Sequence, residues 1–247
     1  MSVTAPNLAS TGTAIMEWLE MPTSKVTRAS HEVPSVNRYF AKGVVVVALN
    51  AFATQAHGHP HIFADARFDV IADKAGLVQR LRHLWRFDEV FSSTVILEFD
   101  RDGNFKLDEA ELRAASAVIH KSLGDYNYFQ MVAVDGKDVE MSKPERMMAT
   151  MDSNQLIIFF ETLPKETLHL KGQLVFRVYD PTFYTALDFA HDDYMAVENM
   201  PSHCRRTVIR PDPDEAIAEN QNSLTQAFFT DPTDFSKLFA TRLQLDC

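Results

Sequence analysis

Cysteine, glycine and positive charge are all in short supply in this chain. Its 247 residues include two cysteines, Cys204 and Cys247, so neither a four-thiolate metal site nor a framework of several disulfides can be built. The eight glycines form no phosphate-cradling loop. No serine sits in a nucleophile elbow, and there is no HExxH pair. No apolar run reaches the roughly 20 residues a membrane-crossing helix needs. With a net charge of −10, the protein repels phosphate backbones and anionic lipid, which makes nucleic acid a poor partner and cations better ones.

An export signal is written near the start. Residues 43–49 read Gly-Val-Val-Val-Val-Ala-Leu, preceded by Arg38 and Lys42 and followed by the small-residue stretch 51–56. A basic flank, a short apolar core and a small-residue cleavage region are the three parts of a secretory signal, although four valines would also suit a buried strand. Cleavage after Ala53 fits the A-x-A pattern, and cleavage after Ala56 fits a looser one. Residues 1–56 therefore read as leader and removable signal, and 57–247 as one mature periplasmic domain that does not span the membrane. In that oxidising setting Cys204 and Cys247 read as a disulfide tying the chain end to the body of the fold, against the alternative of two unrelated thiols.

The pattern beyond residue 60 is mainly β. Ile62, Ala64, Ala66, Phe68 and Val70 alternate with Asp65, Arg67 and Asp69, which predicts a half-buried strand, and a second strand is expected over 77–87. Phe87, Phe91, Val95 and Phe99, then Leu112, Ala115, Ile119 and Leu123, recur at helical spacing and predict a helix-loop-helix insertion at about 88–124. Strands are expected again at 129–134 and 138–141 around an Asp135-Gly136 hairpin turn. Others are expected at 146–151, 155–163, 173–179, 185–189 and 205–209. A short helix over 211–222 and a closing segment at 235–245 complete the chain. The fold class is α+β: a sandwich-like antiparallel β domain with an EF-hand-like helical insertion.

Two clusters point to metal chemistry. His57, His59 and His61 fall within five residues at the start of the mature chain, and imidazole suits nickel, cobalt, zinc and copper. Cleavage after Ala56 would add a free terminal amine, allowing a square-planar Cu(II) or Ni(II) site or a histidine brace of the kind copper enzymes use. Otherwise the stretch is a solvated strand start. His191, Asp192, Asp193 and His203 are possible distal ligands.

The second cluster spans Asp100 to Glu111. Asp100, Asp102 and Asn104 occupy positions one, three and five of a twelve-residue calcium loop, Lys106 offers its carbonyl at seven, Asp108 stands at nine and Glu111 at twelve. Phe105 replaces the glycine that the sharp turn calls for, so a degenerate loop that keeps the shape and loses affinity is an open alternative. So is a plain capping box, with Asp108 and Glu111 starting the second helix. Asp88, Asp180 and Asp188 have no spacing that singles them out as catalytic.

His59-Pro60-His61-Ile62-Phe63, Trp85-Arg86-Phe87-Asp88-Glu89, Tyr126-Asn127-Tyr128-Phe129, Tyr179 to Tyr184 and Cys204 occur in an order that resembles DUF1007. This bacterial family of unknown function is also labelled the periplasmic component of an uncharacterised ABC-type transport system. The resemblance implies association with a membrane metal permease or ABC-type transporter of the nickel or cobalt kind. It also implies a more complete acidic loop in many members, with glycine at the place of Phe105. The combined expectation is a non-enzymatic periplasmic transition-metal-binding accessory protein. The alternatives are a calcium-binding interaction module and a histidine-brace copper enzyme.

Overall fold

The computed structural model describes residues 60–219 and 236–247. The expected leader and signal, together with His57 and His59, lie outside the described residues. Residues 58–247 form one compact unit.

Two sheets build it. The chain runs β1 (Ile62–Ala72), β2 (Val78–Phe87), α1 (Glu89–Phe99), α2 (Glu109–Gly124), β3 (Gln130–Val134), β4 (Lys137–Val139), β5 (Met147–Asp152), β6 (Gln155–Thr162), β7 (Gln173–Val178), β8 (Thr185–Asp188), β9 (Met195–Glu198), β10 (Arg205–Ile209) and β11 (Arg242–Asp246). The first sheet has the order β5-β6-β2-β1-β8, with β9 also pairing β1, and the second has the order β10-β11-β7-β3-β4. The architecture is thus a sandwich-like α+β fold with the helix pair inserted between β2 and β3.

Cross-strand register explains the core. Phe68 stands opposite His83, and His83 opposite Phe160, on β1, β2 and β6. This row meets the second sheet where the ring of Phe68 lies 5.9 Å from that of Phe176 on β7. In the next row Trp85 stacks on Phe129, with centroids 5.8 Å apart. Phe68, Trp85, Phe160 and Phe176 are fully buried, and each such side chain contributes roughly 1.5–3 kcal/mol by leaving water. Phe91 of α1 packs against Phe87, and Tyr128, in the turn that follows α2, packs against Phe160.

Local chemistry sets the turns. Asp135 and Gly136 both take positive φ, 48° and 76°, the pairing that a two-residue hairpin needs to match strand twist. Asp88 caps α1 by accepting from the Val90 and Phe91 amides, and its second oxygen accepts from the Phe63 amide at 2.8 Å, fastening the helix start to β1. The disulfide forms between Cys204 and Cys247, joining the start of β10 to the end of β11.

Several expectations are corrected. The sheets are not purely antiparallel, since β8 and β9 both pair parallel with β1. The strand β9 has no precursor in the sequence reading. Its four residues are too few for a period to show, and pairing with β1 decides its conformation. The far half of β1 is buried on both faces, with Asp69 only 5% exposed, because Arg82 and Glu198 cover its outer side. The 138–141 strand shrinks to β4, the terminal helix is seen at 213–219, and the closing segment is a strand only from Arg242.

Candidate functional site

The acidic loop joins α1 to α2 and is shaped by its own side chains. Asp100 closes α1, its amide donating to the Ile96 carbonyl at 2.9 Å. Its carboxylate then accepts from the amides of Gly103 (2.9 Å), Asn104 (3.3 Å) and Phe105 (2.7 Å). Desolvation pushes the Asp100 carboxyl up, and the bonds from Phe105, Gly103 and Asn104 outweigh it, leaving its pKa below the ordinary carboxylate value. Asp102 accepts from the amide and side chain of Asn104. The Asn104 side-chain oxygen accepts from the Lys106 amide at 2.7 Å.

Glu111 closes the loop from the first turn of α2. It is buried, 4% exposed, and its two oxygens accept from the Arg101 amide at 2.7 Å and the Asp108 amide at 2.9 Å. Asp108 caps the helix through the Ala110 and Glu111 amides, completing the capping box. The cap and the calcium-loop shape coexist, because position nine and position twelve of the loop are also the cap and third residue of the helix.

One oxygen from each of Asp100, Asp102 and Glu111 lies within 4.8 Å of the others. Asp108 stays outside this group because its side chain is committed to the cap. The three carboxylates accept from backbone amides and Asn104, and among the described residues no cationic side chain is bonded to them. Phe105 takes φ of 59° and is 69% exposed. The turn that normally requires glycine is therefore made, with the ring turned out to water. Hard oxygen donors on a wrapped loop between two helices suit calcium, and their charge would be offset by it.

The histidine cluster is represented by His61 alone. Its amide donates to the Tyr184 carbonyl at 2.9 Å, and its ring lies 5.1 Å from that of Tyr184. Among the described residues no group of three potential ligands contains a histidine. His191 packs edge-on against Tyr194, His203 is exposed, and neither they nor Asp192 and Asp193 gather with His61. Asp88 is a structural cap. Asp180 is a turn-former that accepts from Thr182 and Thr185. Asp188 is exposed.

Two buried titratable groups were not singled out by the sequence. His83 is fully buried, stacked on Phe160 at 4.5 Å and bonded to the Gln130 side-chain oxygen at 3.3 Å. Burial pushes its pKa down to about 3, against the pull of Gln130. On the opposite face burial pushes Asp69 up to about 7, although Arg82 lies 3.6 Å away. A histidine and an aspartate inside alternating strands carry no local mark of such settings.

A β sandwich carrying an EF-hand-like helical insertion is the class that this fold and loop define. The pattern of the family described as "Protein of unknown function (DUF1007)" matches residues 44–247, and the chain belongs to that family. Among relatives, an uncharacterized protein of Haemophilus influenzae is 22% identical over 191 residues, covering 76% of this chain and 91% of the relative. An "Uncharacterized 15.5 kDa protein in trpE 3'region" of Spirochaeta aurantia is 24% identical over 136 residues, 55% of this chain and 97% of the relative. Among the described residues no helix is long and apolar enough to cross a membrane.

Proposed function

We propose that this protein is an exported, non-enzymatic cation-binding accessory protein whose Asp100–Glu111 loop takes calcium. The observation that carries this reading is the gathering of the Asp100, Asp102 and Glu111 oxygens within 4.8 Å on a twelve-residue loop flanked by helices. Asp100, Asp102, Asn104, the Lys106 carbonyl and Glu111 are the ligands, with Asp108 positioning the helix. The left-handed Phe105 weakens the site by roughly tenfold to a hundredfold through backbone strain of about 1–3 kcal/mol. The affinity then falls in the range of about 10⁻⁴–10⁻³ M typical of extracellular modules. The Cys204–Cys247 disulfide supports an oxidising compartment, the periplasm. Differential scanning fluorimetry of wild type and Glu111→Gln at 5 mM calcium tests the site. Wild type gains stability from calcium but not from magnesium, and the variant gains none; an equal shift in both proteins, or none in wild type, rejects the loop as the ligand.

A second reading concerns the histidines. His61 is exposed at the mouth of β1 and pinned through its backbone to Tyr184, which supports His57, His59 and His61 as a transition-metal site for nickel, cobalt, zinc or copper, serving a membrane permease or ABC-type transporter. Mass spectrometry of the mature N-terminus, followed by Ni, Cu and Zn titration of wild type and the triple His→Ala variant, tests it. Equal affinities in the two proteins remove it.

A further inference from the structure

The outer face of the second sheet holds an arrangement that the calcium reading does not use. In cross-strand register Met131, Arg177, Arg242 and Ile209 form one row over β3, β7, β11 and β10. Their sequence neighbours Phe176, Val178 and Leu243 are buried in the sandwich, so strand alternation turns both arginines outward. They line a groove of about 720 Å³ between the sheet and residues 209–219 and 237–238.

Two guanidinium groups directly opposite each other repel, and folding gains nothing from setting them together unless something lies between them. Among the described residues no side chain is hydrogen-bonded or ion-paired to both of them. The buried Nε of Arg177 has no hydrogen-bond partner among the described residues, and its Nη1 reaches the Met131 sulfur at 4.0 Å. Burial pushes the Arg177 guanidinium below its usual value and Arg242 adds to the effect, against the pull of Tyr179 and Asp138. Of the other charged groups nearby, Arg210 bonds Asp192 and the Phe189 carbonyl, and Asp212 caps the helix at 213–219 through the Asp214 and Glu215 amides.

We propose that this groove is a binding site for a small organic monocarboxylate, held by Arg177 and Arg242 against an apolar floor. Guanidinium forks match the two oxygens of a planar carboxylate. Met131, Val175 and Ile209 offer the remainder of the molecule an apolar surface, and a volume of this size is ordinary for a small-ligand site. Asp138, Glu215 and Glu219 along the same groove repel a second negative charge, so the site favours a monoanion over phosphate or a dicarboxylate.

Isothermal titration of the full chain with hexanoate, and separately with inorganic phosphate, tests this. Hexanoate binds saturably, and its affinity falls at least tenfold in Arg177→Met and in Arg242→Gln. The melting temperatures of these variants without ligand stay equal to wild type or rise, because a repulsion has been removed. Arg242→Lys, which keeps the charge and loses the fork, weakens hexanoate at least threefold and serves if the glutamine variant does not fold. Arg205→Gln, outside the groove, and Glu111→Gln leave hexanoate binding unchanged, which separates this site from the calcium loop. Absence of saturable hexanoate binding, unchanged affinity in the groove variants, or tighter binding of phosphate than of hexanoate overturns the proposal.

Discussion

Acidification isolates the buried His83. In the fold the ring is sealed between Phe68 and Phe160, its Nε2 faces the Gln130 oxygen, and its Nδ1 has no partner. A second proton would therefore sit on a buried atom with no acceptor among the described residues, and the folded pKa falls to about 3 from an ordinary 6.5. The sign follows from linkage. Above pH 6.5 both states are neutral and stability is complete; between 6.5 and about 3 only the unfolded chain takes the proton, so stability falls with pH. The loss is about 1.4 kcal/mol per pH unit, or roughly 3 kcal/mol at pH 4.5. Asp69 works in the opposite direction. Its carboxyl, raised to about 7, keeps its proton in the fold while the unfolded chain ionises, so its contribution falls as pH rises from 3.8 to 7. Over much of the acid range the two slopes offset each other, so wild type alone does not isolate the histidine contribution. Urea unfolding of wild type and His83→Gln at several pH values resolves them, because subtracting the curves removes the Asp69 contribution common to both. The stability difference is flat above pH 7 and moves by roughly 3 kcal/mol toward the variant by pH 4.5. A difference that stays constant over that range refutes the reasoning.

Phe105→Gly removes an exposed ring from a left-handed position and raises stability by about 0.5–1.5 kcal/mol; calcium affinity measured by titration increases at least tenfold. Asp88→Ala leaves three amides, those of Phe63, Val90 and Phe91, without their acceptor and costs about 2–3 kcal/mol in denaturant unfolding. Replacing Cys204 and Cys247 with serine opens a 43-residue separation and lowers stability by about 4 kcal/mol in the chain-entropy description; a reducing agent lowers the wild-type melting temperature to that of the double variant.

Much of the fold was legible because its signals are local. The alternation around Phe68, the Asp135-Gly136 turn and the four-residue steps of Phe91 and Val95 each occupy fewer than a dozen residues, and the structure builds a strand, a hairpin and a helix from them. The acidic loop was readable for the same reason, since its ligand positions count along one stretch of chain. What failed to show was non-local. β9 exists because Met195 to Glu198 align with Phe68 to Ile71, more than a hundred residues away, and no spacing within four residues announces a partner at that distance.

Chemistry distributed between strands is hidden for a further reason. Arg177 reads as the polar member of an ordinary alternating strand, and Arg242 as a charge near the chain end; each alone is a solvated surface arginine. Only the register between β7 and β11 makes them neighbours, and a shift of a single residue would turn one of them into the core. That register is held by the apolar pairs on the inner face, Phe176 with Leu243 and Leu174 with Leu245, and by the disulfide just beyond β11. The packing that stabilises the sandwich therefore also fixes a juxtaposition that is unfavourable in itself. Any substitution that loosens Leu243 or Leu245 should relax the two guanidinium groups apart before it unfolds the sheet.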